Sequence, residues 1–130
     1  MILLDTHIWL RWLLPTEPLP IKLLTYIEQA ETVSISAMSC WEAVMLAQRQ
    51  RIELPLPIEQ WLIKATLNSG VEILPVICDI SHLAATLPEH HKDPVDRIII
   101  ATTIHHHLKL ISLDTVFPTY QELAEYLITK

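Results

Sequence analysis

Short apolar runs that stop abruptly on an acid frame this chain. Ile2-Leu3-Leu4 ends at Asp5, and the run from Lys109 to Leu113 ends at Asp114. An apolar run of this length, without polar alternation, predicts a strand buried on both faces of a parallel sheet. The β-branched stretch Thr32 to Ser36 (TVSIS) and the stretch Glu72 to Val76 predict two more strands. Between them the apolar positions follow helical spacing. Residues 8–14 fit a short helix stopped by Pro15, and residues 20–30 carry apolar side chains at 21, 23, 24 and 27. Further helices are predicted over 38–51, 58–67, 81–87 and 95–107, the third of these six ending before 54–57 (LPLP) and the fourth at Asn68-Ser-Gly70. Thr119 to Ile128 predicts a last helix, with Thr119 and Glu122 at capping-box spacing. Strands alternating with helices give an α/β fold, a three-layer sandwich whose central, mainly parallel sheet has about four strands flanked by helices. Residues 1–130 read as a single domain.

Composition narrows the function more than the fold. Hydrophobic residues make up 51% of the chain and charged residues 18%, enough apolar material for a core and too little charge for disorder. One glycine against nine prolines leaves no glycine-rich phosphate loop, so the common nucleotide-binding fingerprints are excluded. The formal net charge is -6, which opposes nucleic acid unless bound cations reverse the local field. Cys40 and Cys78, far apart in sequence, read as reduced thiols. The first residues lack the basic segment of a signal peptide. No stretch approaches the ~18 apolar residues of a spanning helix. A cytoplasmic protein with no membrane partner is expected.

The acids fall at element ends. Asp5 closes strand one, Glu42 lies in the first turn of the helix after strand two, Asp93 and Asp96 open the helix before strand four, and Asp114 closes strand four. Ligands of open parallel sheets bind beyond the carboxyl ends of the strands. Each acid also has a plain structural explanation. Ser39 and Glu42 have capping-box spacing, Asp93-Pro94 is an N-cap followed by proline at N1, and strand-end aspartates form turns. Together they are harder to explain that way. Several carboxylates at one sheet edge repel one another unless a divalent cation joins them, and oxygen-only ligands suit Mg²⁺ or Mn²⁺.

The ordered set Asp5-Thr6-His7, Trp41-Glu42, Asp93-Pro-Val-Asp96-Arg97 and Asp114 resembles the PIN-domain nucleases, and more narrowly the VapC-type toxins of bacterial toxin–antitoxin pairs. The likeness runs from Ile2 to about Tyr120. It implies a PIN-like fold and metal-dependent hydrolysis of RNA. Asp5, Glu42 and Asp96 match the family's metal-binding acids, and Asp114 matches a fourth acid that often acts through water. Thr6 and Ser112 match positions where family members place a hydroxyl near the metal. The resemblance also implies a small cognate antitoxin and a homodimer. Three departures stand out: Leu46 where relatives often have Lys, Gln50 where they often have Gly, and the predicted last helix where many end in a short strand.

Phosphodiester hydrolysis fits these acids: they hold a cation, and the cation holds the phosphate. Phosphate contacts outside the site would fall to Arg11, Arg49, Arg51, Lys92 and Arg97, of which Arg97, beside Asp96, is the best placed. Asp93 is a secondary candidate. The histidines read otherwise: His105-His106-His107 as a helix end, His90 and His91 as a solvated loop, His7 as a packed structural residue. The four tryptophans, Trp9, Trp12, Trp41 and Trp61, read as core or interface. Two rival readings are an aspartate-nucleophile phosphatase, which would normally have an acid where His7 stands, and a non-catalytic PIN-like scaffold, which the complete acid set opposes.

Overall fold

The computed structural model describes residues 1–14 and 17–129. Its strands are β1 (Ile2–Leu4), β2 (Val33–Ser36), β3 (Val71–Leu74), β4 (Lys109–Ile111) and β5 (Leu127–Ile128). The helices are α1 (Thr6–Leu13), α2 (Ile21–Gln29), α3 (Ala37–Gln48), α4 (Ile58–Ala65), α5 (Cys78–Thr86) and α6 (Pro94–His106). The stop assigned to Pro15 lies outside the described residues; α1 closes with the Leu14 N–H on the Leu10 carbonyl.

All strand pairings are parallel, in the order β3-β2-β1-β4-β5. The period of two in a strand sorts the central residues between two cores. Ile2, Leu4, Val33, Ile35 and Ile111 join α1, α2 and α4 on one face. Leu3 and Leu110 join Val95, Ile99 and Ile100 of α6 on the other, with Phe117, Tyr120 and Leu123 from the C-terminal turns. Ile80 and Ala84 of α5 pack on Ala101 of α6. This is the expected three-layer sandwich.

Two expectations need correction. The sheet has five strands among the described residues, not about four. The predicted helix over 119–128 is instead two 3₁₀ turns, Phe117–Thr119 and Gln121–Leu123, followed by β5. Leu127 and Ile128 pair with Leu110 and Ile111, so pairing to an edge outweighs local helical spacing.

The topology makes the site. The chain builds outward from β1 to β2 and β3, then crosses to the other side of β1 for β4. The order reverses between β1 and β4, and such a switch point opens a crevice at the strands' carboxyl ends. Asp5 leaves β1 there, and Ser112 and Asp114 leave β4 there.

Candidate metal centre

Asp5 is both strand end and helix N-cap. Its Oδ1 accepts the Ile8 N–H at 2.8 Å, and its Oδ2 accepts the Ser112 hydroxyl. The Ser112 hydroxyl oxygen also accepts the Asp114 N–H at 3.0 Å, so one side chain ties the two strand-end acids together. Asp114 Oδ1 accepts the Val116 N–H at 2.7 Å, leaving Oδ2 for the crevice. Burial raises the Asp5 carboxyl above its ordinary range, opposed by the Ser112 and Ile8 hydrogen bonds and reinforced by the charge of Asp114.

Glu42 is not the capping-box residue its spacing suggested. Ser36 caps α3 by accepting the Met38 N–H at 3.1 Å, so Ser39 lies inside the helix and Glu42 is in its second turn, not its first. Ser39 instead shares a 2.9 Å hydrogen bond with the Thr6 hydroxyl, joining α3 to α1. Glu42 is 6% exposed, and its Oε1 is the buried side-chain polar atom without a hydrogen-bond partner among the described residues. A buried carboxylate oxygen left unpaired is costly.

Asp96 opens α6 as expected. Asp93 caps that helix by accepting the Val95 N–H at 2.9 Å, with Pro94 at N1. Desolvation pushes the Asp96 carboxyl up to about 7, helped by the charges of Asp93, Glu42 and Asp114 and opposed by His91. The charges of Glu42 and Asp114 both reach Asp96, and Asp114 in turn acts on Asp5, so the four acids form one electrostatic unit.

The residue that sequence reasoning missed is His91. Its Nε2 lies 3.1 Å from Asp96 Oδ2 and 3.0 Å from Asp114 Oδ2. His91, Asp96 and Asp114 offer ligand atoms all within 4.8 Å of one another. The loop that carries it is fastened, although Pro88, Glu89, His90 and Lys92 on it are exposed as expected. The His91 N–H donates to the Tyr120 hydroxyl at 2.8 Å, and that hydroxyl donates to the Pro88 carbonyl at 2.9 Å. Arg97 binds this loop too: Nη1 donates to Pro88 and His91 carbonyls at 3.1 and 3.0 Å, and Nη2 to Leu87 and Ala85 at 2.8 and 3.4 Å. Arg97 therefore organises the loop before α6 instead of presenting its guanidinium to the crevice. The available signal for His91 was its place five residues before Asp96 in a loop that must return to the sheet edge.

Other expectations also change. His7 is exposed, not packed. Trp9 and Trp61 are core residues, as expected, with ring centroids 5.3 Å apart, and Trp41, 55% exposed, is left for an interface. It lines a pocket of about 480 Å³ with Met38, Glu42, Met45, Lys92 and Val95.

The PIN domain family model matches residues 2–123. The chain belongs to the PIN domain family. This PIN domain is 32% identical over 114 residues to Ribonuclease VapC22 of Mycobacterium tuberculosis, covering 87% of this chain and 86% of that one. Its fold is similar to a toxin-antitoxin complex from Klebsiella pneumoniae (TM-score 0.66, 22% identity, 99% of this chain and 97% of that chain). It is also similar to VapBC2 from Rickettsia felis bound to a DNA fragment from their promoter (TM-score 0.67, 17% identity, 99% and 98%). Of the sequence-predicted acids, Asp96 and Asp114 converge with His91, whereas Asp5 and Glu42 lie outside that cluster and act on it through their charge. Thr6 and Ser112 supply hydroxyls to Ser39 and Asp5. Among the described residues no helix is long and apolar enough to cross a membrane.

Proposed function

We propose that this PIN domain is a divalent-cation-dependent ribonuclease, the toxin of a type II toxin–antitoxin pair, with Asp5, Glu42, Asp96 and Asp114 as its cation-binding and catalytic acids. The observation that carries the reading is the buried, unpartnered Glu42 Oε1 in a cluster of like charges, a donor set that asks for a cation. The oxygen-rich set fits Mg²⁺ or Mn²⁺. When bound, such an ion neutralises the scissile phosphate and activates the attacking water.

The chain's own residues do the rest. Ser112 and the Ile8 N–H fix both oxygens of Asp5, which holds its orientation against the repulsion of Asp114. Asp93 and Pro94 start α6 so that Asp96 stands in its first turn. Thr6 and Ser39 clamp α1 to α3 and thereby hold Glu42 toward the same edge. Exposed Lys92, Arg49 and Arg51 are available for phosphates outside the centre, and exposed Trp41 is available to stack a base. The phosphatase reading is disfavoured because an aspartate-nucleophile enzyme normally carries a second acid where His7 stands. The likeness to a toxin-antitoxin complex supports an antitoxin as partner, and a chain that is 51% hydrophobic, with Trp41 exposed, supports a homodimer. Free thiols at Cys40 and Cys78 fit a cytoplasmic setting.

The test is cleavage of an RNA pool with Mg²⁺, with Mn²⁺ and with EDTA. Cleavage is expected with metal, and its loss is expected in EDTA and in Asp5→Asn. Release of inorganic phosphate from phosphomonoesters without internal RNA cleavage would favour the phosphatase reading.

A further inference from the structure

His91 lies outside the acid set from which the nuclease reading was built, yet it stands where those acids converge. Its Nε2 is at hydrogen-bond distance from Asp96 Oδ2 and Asp114 Oδ2, on two different elements. Asp114 Oδ2 is the oxygen not engaged by the Val116 N–H. The His91 side chain is 16% exposed, and Phe117 meets its ring edge-on with centroids 5.7 Å apart. Both backbone groups of His91 are tied down, the N–H by Tyr120 and the carbonyl by Arg97. A side chain kept only for solvation would not be fixed on its backbone and on its ring. The unpartnered Glu42 Oε1, on a carboxylate whose charge reaches Asp96, gives the independent sign that a cation belongs at this edge of the sheet.

Resting on the cation-dependent reading above, we infer that His91 Nε2 is a ligand of the bound ion alongside Asp96 and Asp114. The centre is then a mixed imidazole–carboxylate site rather than an all-oxygen one. Neutral imidazole is a frequent ligand of first-row transition ions, whereas Mg²⁺ takes oxygen and sheds its waters reluctantly. The affinity order among divalent ions at nitrogen-containing sites rises from Mn²⁺ through Co²⁺. His91 therefore biases the centre toward Mn²⁺ and Co²⁺ over Mg²⁺. The Arg97 and Tyr120 contacts serve this role by holding the loop so that the ring points inward. A ring that merely fills the space between two carboxylates would instead be displaced by the ion.

Mn²⁺ binding read by pulsed electron paramagnetic resonance separates these cases without reference to activity. In wild type, bound Mn²⁺ is expected to show coupling to a histidine nitrogen. His91→Ala and His91→Gln should lose that coupling while keeping the fold, checked by circular dichroism. The preference for Mn²⁺ over Mg²⁺, measured by competition, should fall about tenfold in both variants, the low end of what losing support for a metal site costs. Mn²⁺ bound in wild type without nitrogen coupling, or bound equally well by His91→Ala, overturns the inference and leaves the acid centre standing. No Mn²⁺ binding to wild type, or binding undiminished in Asp5→Asn with Asp96→Asn, overturns the acid centre as well.

Discussion

At the residue scale, Asp5, Asp96 and Asp114 were legible because each stands at or beside an element end, and Glu42 because it interrupts an apolar helix. A chain that is only 18% charged makes such interruptions stand out. Glu42 was found for its position but misassigned in its surroundings, because Ser39-x-x-Glu42 has capping-box spacing and the actual cap is Ser36. His91 was illegible for a physical reason: a loop histidine has no periodicity, and its partners come from α6 and from the segment after β4. The shared charge has a thermodynamic consequence. Asp96 is held at about 7 in the fold against an ordinary 3.8, so between these values the folded state keeps a proton that the unfolded state has released. The contribution of Asp96 to the stability of the metal-free protein is therefore fully present below about pH 4 and is lost as pH rises toward 7. Buried Asp5 contributes in the same direction. Asp96→Asn is expected to flatten that decline and to melt no lower than wild type at pH 7.5 without metal. Thermal denaturation across pH 5 to 8 in EDTA checks it, and a wild-type stability that rises over this range would be inconsistent with a raised Asp96.

At the element scale, the strands and helices of the sandwich followed from apolar runs and helical spacing, with ends displaced by a few residues. β5 did not, because two residues carry no strand signal of their own and exist only by pairing with β4. Local spacing predicts a helix there, and the absence of a terminal strand reads as a departure from the family. Two helices close without glycine. After α3 the Gln50 N–H bonds the Ala47 carbonyl and the Arg51 N–H the Leu46 carbonyl, with Gln50 at φ 59°. After α6 His107 takes the same part at φ 54°. This is the left-handed closure that glycine adopts without strain. Gln50→Gly is expected to stabilise the protein by about 0.5 to 1 kcal/mol, the relief of left-handed strain less the added entropy of the unfolded chain. A rise in melting temperature of about 3 °C would match that gain. A loss of stability would mean that the Gln50 side chain contributes more than its backbone costs.

At the scale of the whole molecule, the order of strands decides where chemistry happens. Parallel strands build outward on one side of β1 and then on the other, so Asp5 and Asp114 leave neighbouring strands at the same edge. Helices α3 and α6 bring Glu42 and Asp96 to it. The net charge of -6, at odds with an RNA substrate, fits a protein whose phosphate-binding charge is borrowed from a cation. Without that cation the pocket is strongly negative and suits an arginine fork. An antitoxin tail that inhibits by placing Arg there should bind less tightly as Mn²⁺ is raised. Calorimetry across a metal titration would detect this, and an affinity indifferent to metal would put the inhibitor elsewhere. One cation-loaded acid centre is expected to cleave RNA. The most direct measurement of this is a Mn²⁺ titration of wild type and Asp5→Asn that follows metal binding and cleavage of a fluorogenic RNA together. Cleavage should rise in step with metal occupancy in wild type and stay absent in Asp5→Asn. Cleavage that persists in EDTA, or in Asp5→Asn at the wild-type rate, would contradict it.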